Sequence, residues 1–176
     1  MQLRAAAFES LLEWDRRWTR RLNASVGLAP VRILLRLVSR LGNGVFWYAL
    51  MLVLSITRGR AGMEVSLRML AAGAIGLAIY KLLKSKTTRP RPYQVLRGIQ
   101  AGIAPLDAFS FPSGHTLHAV AFTTVAVFHV PALAPLLVLF TLLVAVSRVV
   151  LGLHYPSDVL AGAAIGAGVA HAVLLV

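Results

Sequence analysis

After residue 40 the chain alternates between long uncharged apolar stretches and short charged segments. A helix needs about 20 apolar residues to cross the roughly 30 Å hydrocarbon core of a bilayer. Between Arg40 and Arg58 lie 17 uncharged residues, LGNGVFWYALMLVLSIT, enough for one short span. Met63–Leu83 supplies a second, with Glu64, Arg68 and Lys81 near its ends, where long side chains can reach the interface. From Ala108 to Ser147 there are 40 residues without Asp, Glu, Lys or Arg. That is too long for one span, and Pro131 and Pro135 mark the junction of two. Val159–Val176 is the fifth, with Gly162 and Gly166 at a spacing that suits close helix packing in lipid.

The first 41 residues follow a different pattern. Phe8, Leu11, Leu12, Trp14, Trp18 and Leu22 are interleaved with Glu9, Glu13, Asp15, Arg16, Arg17, Arg20 and Arg21. This predicts an amphipathic helix in the headgroup layer, its tryptophans anchoring and its arginines facing anionic lipid. A second such helix is expected over Val31–Leu41. The first residues lack the apolar core and small-residue cleavage site of a signal peptide, so the amino end is expected to be retained. The predicted fold is therefore an all-α, polytopic membrane helix bundle. It has about five transmembrane helices over residues 42–176 and interfacial helices over 1–41, in a single domain.

Composition agrees, since 58% of the 176 residues are hydrophobic and the mean hydropathy is +0.76, well above soluble domains. Cysteine is absent, which excludes disulfides and thiolate chemistry. The net charge of +12 sits beside apolar spans and not on a soluble face, so anionic membrane lipid is the expected partner and nucleic acid is not.

If successive spans alternate in direction, three polar clusters meet on one side of the membrane: KSKTTRPRP (Lys84–Pro92), FPSGH (Phe111–His115) and SRVVLGLHYPSD (Ser147–Asp158). Lys84, Arg91 and Arg148 are cations suited to a tetrahedral oxyanion. Pro112, Ser113 and Gly114 open an apolar helix, whose free N–H groups and dipole favour an anion. His154 and His115 are candidates for nucleophile and acid, and Asp158 lies where it could orient one imidazole. Charge inside apolar sequence is costly, about 2.5–3.5 kcal/mol per residue at a helix centre, so the clusters read more economically as an active site at the membrane surface. Asp107, in the loop before FPSGH, reads as solvated. His115 and His118 have HxxH spacing but lack a suitable third zinc ligand nearby.

These clusters resemble the three-part signature of the type 2 phosphatidic acid phosphatase family, which includes vanadium haloperoxidases and glucose-6-phosphatase. Lys84 with Arg91-Pro92 matches the first part, Pro112–His115 the second, and Ser147-Arg148, His154 and Asp158 the third. Arg89-Pro90 is a second Arg-Pro, but it stands five and not seven residues after Lys84. The resemblance implies metal-independent, cofactor-free hydrolysis of a phosphate monoester or pyrophosphate. His154 would be the phosphohistidine-forming nucleophile, His115 the general acid and base, and Asp158 the group orienting His154. Lys84, Arg91, Arg148 and the amides near Ser113 and Gly114 would bind the phosphate. A site at the bilayer surface implies a lipid substrate: a polyprenyl pyrophosphate, phosphatidylglycerol phosphate, phosphatidate, lipid A or a phosphorylated polyprenyl sugar. The alternative is a small, non-enzymatic membrane transporter whose polar residues line a path.

The expected location is a cell (inner) membrane. The active-site side carries 15 of the 18 Lys and Arg, which points to the cytosol by the positive-inside rule. A periplasmic or extracellular site is the alternative, after the behaviour of many bacterial relatives.

Overall fold

The structure is a computed structural model describing residues 2–105 and 107–176. Helix α1 (Gln2–Asn23) passes through a short 3-10 turn (Ala24–Gly27) into α2 (Ala29–Leu41), and the pair is bent by 110°. Helix α3 (Val45–Lys86) has 42 residues and would measure about 63 Å if straight, twice the hydrocarbon core. It is not straight. Gly59 adopts φ 56° and ψ −129°, a backbone conformation that side-chain-bearing residues avoid, and folds the helix back on itself. Ser66 Oγ then donates to Met51 O at 2.9 Å and meets Ser55 Oγ at 3.1 Å. The result is two antiparallel arms, residues 45–58 and 60–86, matching the first two expected spans.

A single turn, α4 (Pro92–Val95), precedes α5 (Gly114–His129), α6 (Ala134–Val150) and α7 (Pro156–Leu174). Proline stands in the first turn of α4, α6 and α7, where no intrahelical N–H is lost. Three helical segments, Val45–Lys86, Pro131–Val150 and Pro156–Leu174, are long and apolar enough to cross a membrane. With α3 folded in two and α5 packed among α3, α6 and α7, the protein is a multi-pass, all-helical membrane bundle of about five apolar segments.

Trp47, Met51, Met69, Val125, Leu137, Val144 and Val169 share the main buried core. Thr123 Oγ1 and Thr141 Oγ1, 2.6 Å apart, tie α5 to α6, a polar contact typical of helix interfaces in lipid. The paired glycines of α7 do what their spacing promised: a Cβ on Gly162 would lie 2.5 Å from Ser113 O, and one on Gly166 2.3 Å from Leu117 O. Backbone therefore meets backbone where α7 crosses α5, and this fixes the start of α5 against α7.

The amino-terminal helices depart from a simple surface layer. Phe8, Leu11, Trp14 and Trp18 are exposed on α1, while Asp15, Thr19 and Asn23 are buried. These three are one helical turn apart and form a polar stripe facing the bundle. Asn23 Nδ2 donates to Gln100 O and Val150 O at 2.9 and 2.8 Å, and its Oδ1 accepts Gln100 N–H at 3.0 Å. Beyond the arginines and tryptophans expected at the interface, α1 turns small polar residues inward, and Asn23 clamps loops at the end of the bundle.

Candidate active site

The segments that precede α5 and α7 are joined by backbone bonds before any catalytic side chain is considered. Ser110 N–H donates to Arg89 O at 2.9 Å, Ser113 N–H to Asp158 O at 3.0 Å, and Gly102 N–H to Leu151 O at 3.0 Å. Leu153 and His154 N–H groups both donate to Arg148 O, each at 3.1 Å, closing the turn after α6. Gly152 makes that turn possible, with φ 72° and no room for a Cβ beside Gln100 O at 2.7 Å. The three sequence clusters thus share one end of the bundle.

Between them lies a cavity of about 500 Å³, within the range of small-ligand sites. Lys84, Arg91, Arg148, His115, His154, Gly114 and Asp107 line its polar end. Arg91 is 1% exposed and is held on several sides: Nη1 donates to Leu153 O at 2.7 Å, Nε to Asp107 O at 3.1 Å, and Nη2 to Asp107 Oδ1 at 2.6 Å. Lys84 Nζ reaches the same carboxylate oxygen at 2.5 Å and Tyr80 Oη at 2.8 Å. Arg148 Nη1 donates to Ser39 Oγ of α2, while its buried Nε has no partner among the described residues. A guanidinium N–H buried without an acceptor is costly, and an oxyanion in the cavity would supply one.

Arg91 Nη1 lies 3.2 Å from His154 Nε2. A guanidinium has no acceptor, so this bond assigns Nε2 as unprotonated and places the imidazole proton on Nδ1. Burial pushes the His154 imidazole well below its ordinary value, and the charges of Arg148, Arg91 and Lys84 push the same way. Both facts describe a neutral imidazole with its unprotonated nitrogen among the cations. Nδ1 has no hydrogen-bond partner among the described residues and stands 3.8 Å from Asp158 Oδ2, longer than a hydrogen bond. Asp158 is committed elsewhere, since Oδ2 accepts Tyr155 N–H at 2.8 Å as a cap of α7 and Oδ1 accepts Arg89 Nη1 at 2.6 Å.

Most of the sequence-derived residues converge. Lys84, Arg91, Gly114, His115, Arg148 and His154 line the cavity, and Asp158 stands behind His154. Ser113 is fully buried, its N–H spent on Asp158 O and its Oγ 3.0 Å from Thr116 Oγ1. The amides available to an anion are therefore those of the next residues, at the start of α5. Gly114 is required there, because a Cβ would sit 2.8 Å from the Tyr80 ring. His118 is turned to the backbone, its ring nitrogens 2.8 Å from Gly114 O and 3.3 Å from Gly73 O.

Three residues had been underrated. Asp107, read as solvated, is instead bound by Lys84, Arg91 and Tyr80 Oη at 2.5, 2.6 and 2.5 Å. Burial alone would raise its carboxyl, but bonds from Lys84 and Tyr80 and the charges of Arg91 and Lys84 outweigh that and hold it below the ordinary carboxylate value. Arg89, set aside for its spacing, binds Asp158 and Asp15. Asp15 lies in α1, and its only sequence signal was the stripe Asp15, Thr19, Asn23, where an arginine-rich helix keeps small polar residues on one face.

A family model described as the PAP2 superfamily matches residues 65–176. The lipid A 1-phosphatase of Rhizobium johnstonii is 29% identical over 166 residues, covering 83% of this chain and 68% of that protein. The undecaprenyl-diphosphatase BcrC of Bacillus subtilis is 38% identical over 88 residues, covering 50% of this chain and 45% of that protein. The crystal structure of Aquifex aeolicus LpxE superposes with a TM-score of 0.80 at 26% identity, covering 92% of this chain and 95% of that one.

Proposed function

The chain belongs to the PAP2 superfamily, and from that membership we propose that it hydrolyses a phosphate monoester or pyrophosphate carried by a membrane lipid, through a phosphohistidine. The observation that carries the proposal is the convergence of half-buried Lys84 and buried Arg91 and Arg148 on the cavity that holds His154 and His115. Phosphoryl transfer needs mainly positioning and stabilisation of charge on the equatorial oxygens, and three cations with an unpartnered Arg148 Nε offer both. The Asp107 carboxylate, seated on Lys84 and Arg91, supports the same reading, because that seat already fits an oxyanion.

In this mechanism His154 Nε2 attacks phosphorus in line, forming the N–P bond as the bond to the leaving oxygen breaks. His115 gives that oxygen its proton. Water then attacks the phosphohistidine, with His115 accepting its proton, and inorganic phosphate leaves. Asp158, one helical turn beyond His154, stabilises the imidazole as it gains positive character. Lys84, Arg91, Arg148 and the Gly114 amide hold the phosphoryl oxygens, and Ser113 fixes the start of α5.

Away from the cations the cavity wall is apolar. Trp47, Leu70, Leu77 and Phe122 line it, and Leu70 and Leu77 also stand on the bundle's outer surface, 46% and 42% exposed. A lipid tail can leave along this wall while its phosphate stays at the headgroup layer. The test is phosphate release by the purified protein from undecaprenyl pyrophosphate, phosphatidylglycerol phosphate, phosphatidate and lipid A, in EDTA. Turnover of at least one lipid, unaffected by EDTA and inhibited by vanadate, is the expected result. A non-enzymatic transporter would release no phosphate from any of them, and turnover restored only by a divalent metal would refute the metal-free mechanism.

We place the site on the cytosolic side of the cell membrane, because its end of the bundle carries the great majority of Lys and Arg. The arginines of α1, beside exposed Phe8, Trp14 and Trp18, would contact anionic lipid there. Gln100 is exposed at this end, and the chain has no cysteine. A Gln100→Cys variant should resist a membrane-impermeant maleimide in spheroplasts and react after permeabilisation. Labelling before permeabilisation would put the site outside.

A further inference from the structure

Asp15 is fully buried on a helix whose neighbouring arginines are exposed. Its Oδ1 accepts Ser157 N–H at 2.9 Å, and its Oδ2 accepts Ser157 Oγ–H at 2.5 Å and Arg89 Nη2 at 2.6 Å. Arg89 uses its other nitrogen, Nη1, on Asp158 Oδ1 at 2.6 Å and Ser157 Oγ at 2.8 Å, with its guanidinium 4.0 Å above the Tyr155 ring. We infer that Asp15 is a positioning residue of the phosphatase site: α1 delivers a carboxylate that fixes Arg89 and the first turn of α7, and so sets Asp158 against His154.

The reason lies in the geometry of an arginine facing a carboxylate. Left to itself, a guanidinium takes both oxygens of a carboxylate in a bidentate pair. Here Asp15 occupies Nη2, so Arg89 claims Asp158 through Nη1 alone. Oδ2 of Asp158 is left to Tyr155 N–H and to the side facing His154 Nδ1, 3.8 Å away. Asp15 also sets the local charge. With both carboxylates ionised, they and the one guanidinium leave net −1 behind His154, while Arg148, Arg91, Lys84 and His115 act on the imidazole from the cavity side, with Asp107 on the far side of Arg91. A negative charge behind the imidazole favours the positive character it acquires when Nε2 bonds to phosphorus. Anchoring α1 does not by itself require this carboxylate, since Asn23 already ties the helix to Gln100 and Val150.

The inference rests on the proposed phosphatase reading, and the two fail differently: a wild-type chain that releases no phosphate removes that reading, whereas the following comparison presupposes an active wild type. The full chain is assayed in mixed micelles with the panel lipid it hydrolyses fastest. Asp15→Asn should lower kcat about tenfold to a hundredfold, the scale of a misplaced orienting group, with KM within about twofold because Lys84, Arg91 and Arg148 are untouched. The acid limb of kcat/KM reports protonation of His154 in the free enzyme. It should move to lower pH in Asp15→Asn, where the cluster becomes neutral, and to higher pH in Arg89→Gln, where it becomes −2. The double variant should return the limb toward wild type. Limbs that stay fixed in all three variants, or a wild-type kcat in Asp15→Asn, would overturn the inference. Should Asp15→Asn fail to fold, Arg89→Gln alone decides: an upward shift supports the charged cluster behind His154 and an unmoved limb overturns it.

Discussion

His154→Ala is expected to lower phosphate release by at least about 10⁴-fold, the scale on which deletion of a covalent nucleophile acts, while leaving the helical bundle intact. Both halves follow from its surroundings. Its Nε2 is the imidazole nitrogen held among the cations, 3.2 Å from Arg91 Nη1, and burial with those charges keeps it neutral. The structural cost is small because the ring's Nδ1 has no hydrogen-bond partner among the described residues, and because Leu153 and His154 bond Arg148 O through backbone N–H groups, which alanine keeps. The measurement is a brief incubation with lipid labelled in its phosphate, followed by a search for an acid-labile, base-stable label on the protein. Wild type should carry it and His154→Ala should not, with unchanged detergent elution and helix content. A labelled His154→Ala protein would remove His154 as nucleophile.

His115→Ala should cost about 10²–10⁴-fold with a lipid substrate, the usual contribution of a general acid or base. Its loss acts on two steps, protonation of the leaving oxygen and activation of water. The first depends on the leaving group and the second does not. With an aryl phosphate, whose oxygen leaves without protonation, the variant should therefore form phosphoenzyme at a rate near that of wild type and then stall. A burst of phenol equal to the amount of enzyme, followed by slow turnover, is the signature. Full steady-state activity on the lipid would place His115 outside the mechanism.

The three clusters were legible because their chemistry is carried by residue type at fixed spacing. Lysine and arginine stand seven apart, PSGH opens a helix, and histidine and aspartate lie four apart across a helix start. What escaped were residues whose partners are remote in sequence. Arg89 meets Asp15, 74 residues away, and Arg148 meets Ser39, 109 residues away. Asp107 looked like any loop carboxylate until the fold brought its segment across Lys84 and Arg91.

By itself the sequence determined the class of fold and which polar residues would gather at one end of the bundle. Apolar length sets how many helices a bilayer can hold, and charge in an apolar setting is costly enough that it stays only where it has work to do. Only the tertiary structure decided how the amino-terminal helices serve the rest. Alternation of tryptophan and arginine says that α1 prefers an interface, but it does not say which side chains turn inward. The inward face carries Asp15 and Asn23 because the end of α6, the start of α7 and the loops before α5 present backbone groups and Arg89 there, and buried polar groups are as a rule hydrogen-bonded. Likewise, the position of Asp158 relative to His154 is not a property of their spacing. The competition of Tyr155 N–H and Arg89 for the same carboxylate sets it, and that competition exists only once Arg89, 69 residues away in sequence, has met the start of α7.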